Sequence, residues 1–364
     1  MKILLLTPKL NGSDGISGVS RTALTAIKQS GKTGLLEVRS LAAETFTPEQ
    51  LVNGCSCKSA FDSKLRYVGW SLQSLLRGRR FDLVIAMHIH LAPIGIAQNM
   101  TGSRLAIFLH GIEAWKPLTW LEDLAVQRAS YVLANSHYTA EHFKEINSQH
   151  KDCEIQVCPL GIPALEARRD CRDGRYALIV GRLAPNHEYK GHDLLLELWG
   201  EVQKHAPGFR LLVAGEGANR TRLEQKAKSL GLQGQVEFLG LVDDRRLLEL
   251  YQNCSFFIMP STGEGFGLVF LEAMRAGKAC IAGEGAASEV VDDGVSGFVV
   301  NPRSRERVLE AMLQLIRDPE RARRMGSAGY DRFMRLFTAE TFSGRFTQAL
   351  DMWEAAAEDE QCAG

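Results

Sequence analysis

Residues 260–274 read Pro260-Ser261-Thr262-Gly263-Glu264-Gly265-Phe266-Gly267-Leu268-Val269-Phe270-Leu271-Glu272-Ala273-Met274. The run before them, Cys254 to Met259, is apolar and has the length of a buried strand closed by a turn. Gly263, Gly265 and Gly267 then form a loop in which backbone can approach a ligand. Leu268, Leu271 and Met274 recur at helical spacing, and Gly277 is placed to stop the helix. A strand that feeds a glycine loop opening a helix is an anion site, because free N–H groups and the helix dipole favour negative charge at the same point. Two carboxylates frame it. Glu264 lies in the loop and Glu272 in the second helical turn, on a different face. Either can accept hydrogen bonds from sugar hydroxyls. The plainer reading is that Glu264 only favours the helix N-terminus and Glu272 is a solvated surface residue.

Outward from this stretch the same unit recurs. Lys2–Thr7, Phe81–Met87, Leu105–Leu109, Tyr131–Ser136, Tyr176–Leu183, Phe209–Ala214, Val236–Gly240, Ala279–Ala282 and Gly297–Val300 are short apolar runs separated by helical patterns. That alternation predicts two doubly wound parallel sheets, and 364 residues is a length for two domains. The Pro/Gly-rich stretch 159–175 marks the boundary. The expected division is 1–163, joined by a last helix at about 340–358, and 164–339. The helices near the end read as charged and solvated, and 40–60 as irregular and polar.

The composition is that of a soluble globular protein, 45% hydrophobic and 24% charged. No apolar run approaches a membrane span, and Met1–Pro8 reads as a first strand rather than a leader. Eight cysteines include no C-x-x-C pair, and Cys55-Ser56-Cys57 lacks zinc-knuckle spacing. Reduced thiols fit a cytosolic protein. Net charge is zero, yet residues 1–163 hold 17 Lys and Arg against 13 Asp and Glu, so the first half carries +4 and the second −4. That asymmetry favours an acidic partner or anionic membrane on the first half. It does not argue for nucleic acid, of which there is no motif.

Several patterns carry chemistry with alternatives. Asn11 to Arg21 leads from the first strand into a helix, but its glycines do not follow G-x-G-x-x-G, so it is a ligand loop or a solvent loop. Lys64 to Arg80 is a basic helix with Leu65, Val68, Leu72, Leu75 and Leu76 on one side; it is a crossover helix over the sheet or a helix lying on an anionic bilayer. His88 and His90 on a strand would share a side, without an obvious third metal ligand. His110 follows a strand at its carboxyl end, where open α/β sheets bind ligands, although a lone histidine there can be structural. Arg182 and Lys190 flank a strand-to-helix turn, where two cations suit a diphosphate.

The segment Glu264 to Glu272, E-G-F-G-L-V-F-L-E, resembles the E-x7-E signature of family-4 retaining glycosyltransferases, glycosyl transferases group 1. The resemblance extends to Ser17-Gly18-Val19 in place of a G-G-V turn and to His110-Gly111. It includes the V-I-P-N-G-I-like segment Ile155–Pro163 and the E-I-V-x-D-G-x-x-G-like segment Ser288–Gly297. It implies a GT-B fold, two facing Rossmann-like domains with a C-terminal helix crossing back to the first, and a cleft that closes on the ligand. It implies a nucleotide-sugar donor, UDP- or GDP-linked, bound by the second domain, and a saccharide or lipid-linked saccharide acceptor bound by the first. Carried onto this chain, Arg182 and Lys190 hold the diphosphate with the amides of Gly267, Leu268 and Val269, and Gly265 and Phe266 complete the loop. Glu264 meets the sugar, Glu272 the ribose hydroxyls, Gly240 adjoins the base, Gly18 lies near the phosphates and His110 contacts the donor sugar. The chain departs from the family by inserting Pro185–Tyr189 before Lys190 and by having one glycine at Gly18. With no D-x-D motif, no metal is expected. The implied activity is retaining hexosyl transfer in bacterial envelope polysaccharide or glycolipid synthesis, on the cytoplasmic side and with peripheral membrane contact. The alternatives are a non-catalytic GT-B scaffold or sugar-nucleotide sensor, and a nicotinamide oxidoreductase, which would need the fingerprint that both glycine loops lack.

Overall fold

A computed structural model describes residues 1–12, 15–46, 55–76, 78–165, 174–185 and 190–362. The Asn186–Tyr189 part of the insert, linker residues 166–173 and Asp14 of the first glycine loop lie outside them, as do the side chains of Leu72 and Leu75. The chain divides into two compact units, Met1–Ile162 with Ala339–Gly364, and Pro163–Thr338.

The first unit is built on β1 (Lys2–Thr7), β2 (Leu35–Ser40), β3 (Cys55–Ser59), β4 (Leu83–Ala86), β5 (Arg104–Leu109), β6 (Tyr131–Ala134) and β7 (Ile155–Val157). They form one parallel sheet in the order β3-β2-β1-β4-β5-β6-β7. Ile3 pairs with Leu36 on one side and Leu83 on the other. Helices cover both faces, so the inner strands are buried throughout, which explains their unbroken apolar runs. The second unit has β8 (Tyr176–Val180), β9 (Arg210–Ala214), β10 (Val236–Gly240), β11 (Phe256–Met259), β12 (Cys280–Gly283) and β13 (Gly297–Val300), in the order β10-β9-β8-β11-β12-β13, again all parallel. This is the GT-B pairing of two Rossmann-like sheets. Each sheet reverses its winding once, between β1 and β4 and between β8 and β11. At such a switch point the flanking loops part and leave a crevice at the strands' carboxyl ends.

The helix Ala339–Cys362 belongs to the first unit although it ends the chain. It is not merely solvated. Phe342, Phe346, Leu350 and Trp353 are buried, Trp353 stacks on Tyr131 with centroids 4.7 Å apart, and Lys32 reaches Asp351 at 2.8 Å and Glu354 at 2.7 Å.

Four local readings are corrected. Residues 40–60 contain β3, a strand without an apolar run: as an edge strand it buries only Cys55 and Ser59. The basic helix spans Lys64–Leu76, and two of the stripe's leucines do not face the sheet: Leu65 is 87% and Leu76 89% exposed. Tyr67 and Ser74 are buried instead, because the helix covers the buried Arg39–Glu37 ion pair on β2 (2.8 Å). Tyr67 donates to the Arg39 carbonyl at 2.8 Å and Ser74 accepts from Arg39 at 2.6 Å. Gly18 lies inside the helix Gly15–Gln29, not in a loop. His88 and His90 lie past β4, where His88 caps the short helix Ile89–Leu91 by accepting from the His90 amide at 3.2 Å.

Candidate functional site

The second unit's switch point lies between the loop after β8, with Gly181 and Arg182, and the loop after β11, with Pro260 to Gly267. Lys190 enters it from the start of the helix His192–His205, capped by Gly191. Gly191 has φ +88°, and a Cβ there would stand 2.8 Å from the Pro260 carbonyl oxygen. Only glycine lets the two loops meet this closely. Lys190 is buried, and its Nζ lies 3.1 Å from Glu264 Oε2 and 3.8 Å from Met259 Sδ. The insert before Lys190 therefore does not keep it from the loop. Arg182, in the loop after β8, is exposed.

The helix predicted from the periodicity spans Leu268–Arg275, with Gly277 at φ +70° just beyond it. Gly267 caps its N-terminus at φ 89° and ψ 56° and, being glycine, brings no side-chain hydrogen bond to it. A Cβ on Gly267 would meet the Phe270 ring at 2.5 Å, so the left-handed turn and the packing both require glycine. The first-turn amides of this helix, with Lys190 and Arg182, supply positive potential in one place. Gly265 and Phe266 are buried beneath the loop, and Leu268 and Val269 are half-buried. Ser261 Oγ is buried and has no hydrogen-bond partner among the described residues.

Glu272 is not a solvated surface residue. It is half-buried, and its Oε2 accepts from the Tyr251 hydroxyl at 2.8 Å. Burial pushes its carboxyl above the usual carboxylate range, while the Tyr251 hydrogen bond and the Arg275 charge oppose that shift. Glu264 and Glu272 are thus held by different partners. Gly240 ends β10 at φ +69°, and its carbonyl accepts from the Gly215 amide at 2.9 Å. Tyr251, bonded to Glu272, and Ser261, in the loop after β11, are residues to which the motif reading assigned no role. Ser261 stands inside the motif, but only the fold shows its hydroxyl unmatched.

In the first unit His110 follows β5 directly. Its amide donates to Glu113 Oε1 at 2.6 Å, and its carbonyl accepts from Asn135 Nδ2 at 2.7 Å. Its Nε2 stands 2.9 Å from the Met87 carbonyl, so that nitrogen carries the proton. Burial lowers its pKa to about 4, against the pull of the Met87 hydrogen bond. His88, also lowered to about 4 chiefly by burial, packs against His90 with ring centroids 4.7 Å apart. His90 Nδ1 bonds the Glu122 carboxylate, which also closes a capping box with Thr119. Gly18 contributes no side chain; its carbonyl accepts from Thr22 at 3.1 Å. Among the described residues no three His, Cys, Asp or Glu side chains are grouped to hold a metal ion, and no helix is long and apolar enough to cross a membrane.

Comparison with known proteins agrees with this architecture. The family model for glycosyl transferases group 1 matches residues 170–332, and that for glycosyltransferase family 4 matches residues 47–164. The D-inositol 3-phosphate glycosyltransferase of Segniliparus rotundus is 30% identical over 253 residues, 65% of this chain and 52% of that protein. A GDP-mannose-dependent alpha-(1-6)-phosphatidylinositol monomannoside mannosyltransferase of Mycolicibacterium smegmatis is 29% identical over 265 residues, 66% of this chain and 68% of that protein. The match spans about half the length of the first of these relatives. Among solved structures, Anabaena HepE in complex with UDP superposes with a TM-score of 0.75 at 21% identity, covering 97% of this chain and all of that one. Sucrose-phosphate synthase from Thermosynechococcus elongatus gives 0.78 at 19% identity, with 98% and 100% coverage. With both of its units matched by family models and its whole length by the fold, the chain belongs to the group-1, family-4 glycosyltransferases of GT-B fold.

Proposed function

We propose that this protein transfers a hexosyl residue from a UDP- or GDP-linked sugar to an acceptor hydroxyl with the anomeric configuration retained, and that it does so without a metal ion. One observation carries the reading: a lysine ammonium and a glutamate carboxylate lie 3.1 Å apart at a topological switch point, beside a helix N-terminus whose cap residue is glycine. Lys190, Arg182 and the amides of Gly267, Leu268 and Val269 neutralise the departing diphosphate electrostatically. The bond from the anomeric carbon to the phosphate oxygen breaks, and the electron pair stays on that oxygen. The acceptor oxygen bonds the same face of the carbon, and its proton passes to the departing phosphate. Glu264 orients the sugar, Glu272 the ribose hydroxyls, and Gly240 borders the base. His110, neutral at working pH, is assigned to the sugar and Gly18 to the phosphates. The first unit takes the acceptor. The relatives' names, an inositol phosphate glycosyltransferase and a phosphatidylinositol mannoside mannosyltransferase, support a glycolipid or envelope saccharide acceptor. Turnover of UDP-glucose and GDP-mannose in EDTA, with the product anomer read by NMR, tests this. Retention without metal is expected. Inversion, or activity lost in chelator and restored by Mg²⁺ or Mn²⁺, contradicts it.

Peripheral attachment to the cytoplasmic leaflet is part of the proposal. The exposed Leu65, Val68 and Leu76 stand on a helix that also bears Lys64 and Arg66. Apolar side chains beside cations suit an anionic bilayer surface. In flotation assays, binding to anionic vesicles should exceed binding to neutral ones and fall with salt. Equal binding to both rules out the electrostatic part.

A further inference from the structure

We propose that Cys55 and Cys57 form a two-thiolate site for a soft, thiophilic divalent cation. The two residues are i and i+2 on the edge strand β3, so both side chains leave the same face of the sheet. That is the face of Leu36 and Val38, their register partners on β2. Cys55 is buried and Cys57 half-buried, and their sulfurs stand 3.7 Å apart. Two thiolates on one tetrahedral ion with metal–sulfur bonds of about 2.3 Å lie about 3.8 Å apart, so the pair already has the bite of a chelate. A disulfide is a poorer fit. Residues two apart on a strand have Cα atoms about 6.7 Å apart, at the outer limit of roughly 6.8 Å for a disulfide. Oxidation would have to buckle the strand, whereas chelation leaves it as it is.

The electrostatics distinguish the two thiols. The hydrogen bond from Cys57 holds the Cys55 thiol below its ordinary pKa, helped by the charge of Lys28, while burial opposes. The same interaction raises Cys57, to which Glu44 adds. A bound dication would remove that conflict by holding both sulfurs as thiolates, releasing the protons they carry. Cys57 has access to solvent, so water completes the coordination. Neither cysteine is among the residues assigned to the donor.

Cadmium is the probe. Titrating CdCl2 into the reduced full chain should raise the thiolate-to-cadmium charge-transfer band and saturate at one ion per chain. Cys57→Ser should weaken binding at least tenfold, and Cys55→Ser/Cys57→Ser should abolish the band, while Cys153→Ser leaves it intact. A band that persists in the double variant, or is lost equally in Cys153→Ser, overturns the proposal. A second measurement needs no variant. Phenylarsine oxide condenses with two thiols, forming two As–S bonds and releasing one water. The adduct should be found on the tryptic peptide 40–58, which holds Cys55 and Cys57 and no other cysteine. An adduct on another peptide, or none, contradicts the site.

Discussion

At the second unit's switch point an ammonium and a carboxylate stand 3.1 Å apart beside a glycine-capped helix N-terminus; at the carboxyl ends of the first unit's sheet the corresponding groups are histidines, two of them held near pKa 4. Both units have the same winding and the same crevice-forming reversal. They differ in what the loops bring there. The second presents fixed positive potential, which suits a diphosphate. The first presents the neutral rings of His88 and His110, which suit hydroxyls. The fold supplies the crevice and the side chains decide the ligand.

The largest expected effect tests that division. Lys190→Met removes a buried cation and leaves Glu264 without it. Loss of a charge-assisted hydrogen bond of about 1.5–3 kcal/mol lowers nucleoside diphosphate affinity roughly ten- to hundredfold. His110→Ala should change that affinity less than twofold and act on turnover. Calorimetric titration with UDP and GDP compares the two variants. Equal losses in both would erase the proposed contrast between the units.

A smaller effect comes from acid. The folded pKa of His110 is about 4, below the roughly 6.5 of an unfolded histidine. The unfolded chain therefore binds more protons between these values, and stability falls as pH drops from about 6.5 towards 4. For His110 alone the loss from pH 7 to pH 5 is about 2 kcal/mol. Urea unfolding at the two pH values should show His110→Gln losing that much less than the wild type. An unchanged pH dependence would mean that His110 is not held neutral by burial.

Much of this was readable before any coordinates. Strands buried on both faces announce themselves as apolar runs, and the loop 260–267 announces the helix after it, because glycine spacing and periodicity are local. What failed was non-local. Leu65, Val68 and Leu76 have helical spacing yet are exposed, because the helix is oriented by Arg39 and Glu37 on a neighbouring strand, and a buried ion pair calls for Tyr67 and Ser74 above it. β3 is an edge strand whose residues, Cys-Ser-Cys-Lys-Ser, carry no strand signal. Whether Lys190 reaches the loop could not be counted through an insert; it depends on the left-handed Gly191 packed on Pro260. Tyr251 meets Glu272 across 21 positions of sequence, a contact that no spacing rule gives.

The most direct test of the account separates the two glutamates, which the structure gives different partners. Calorimetric titration of the nucleoside diphosphate is run on Glu264→Gln and Glu272→Gln, beside turnover on the full donor. Glu272→Gln should weaken the diphosphate roughly ten- to hundredfold. Glu264→Gln should leave diphosphate affinity nearly intact and lower turnover instead. Equal losses of diphosphate affinity in both variants would contradict the assignment of sugar to Glu264 and ribose to Glu272.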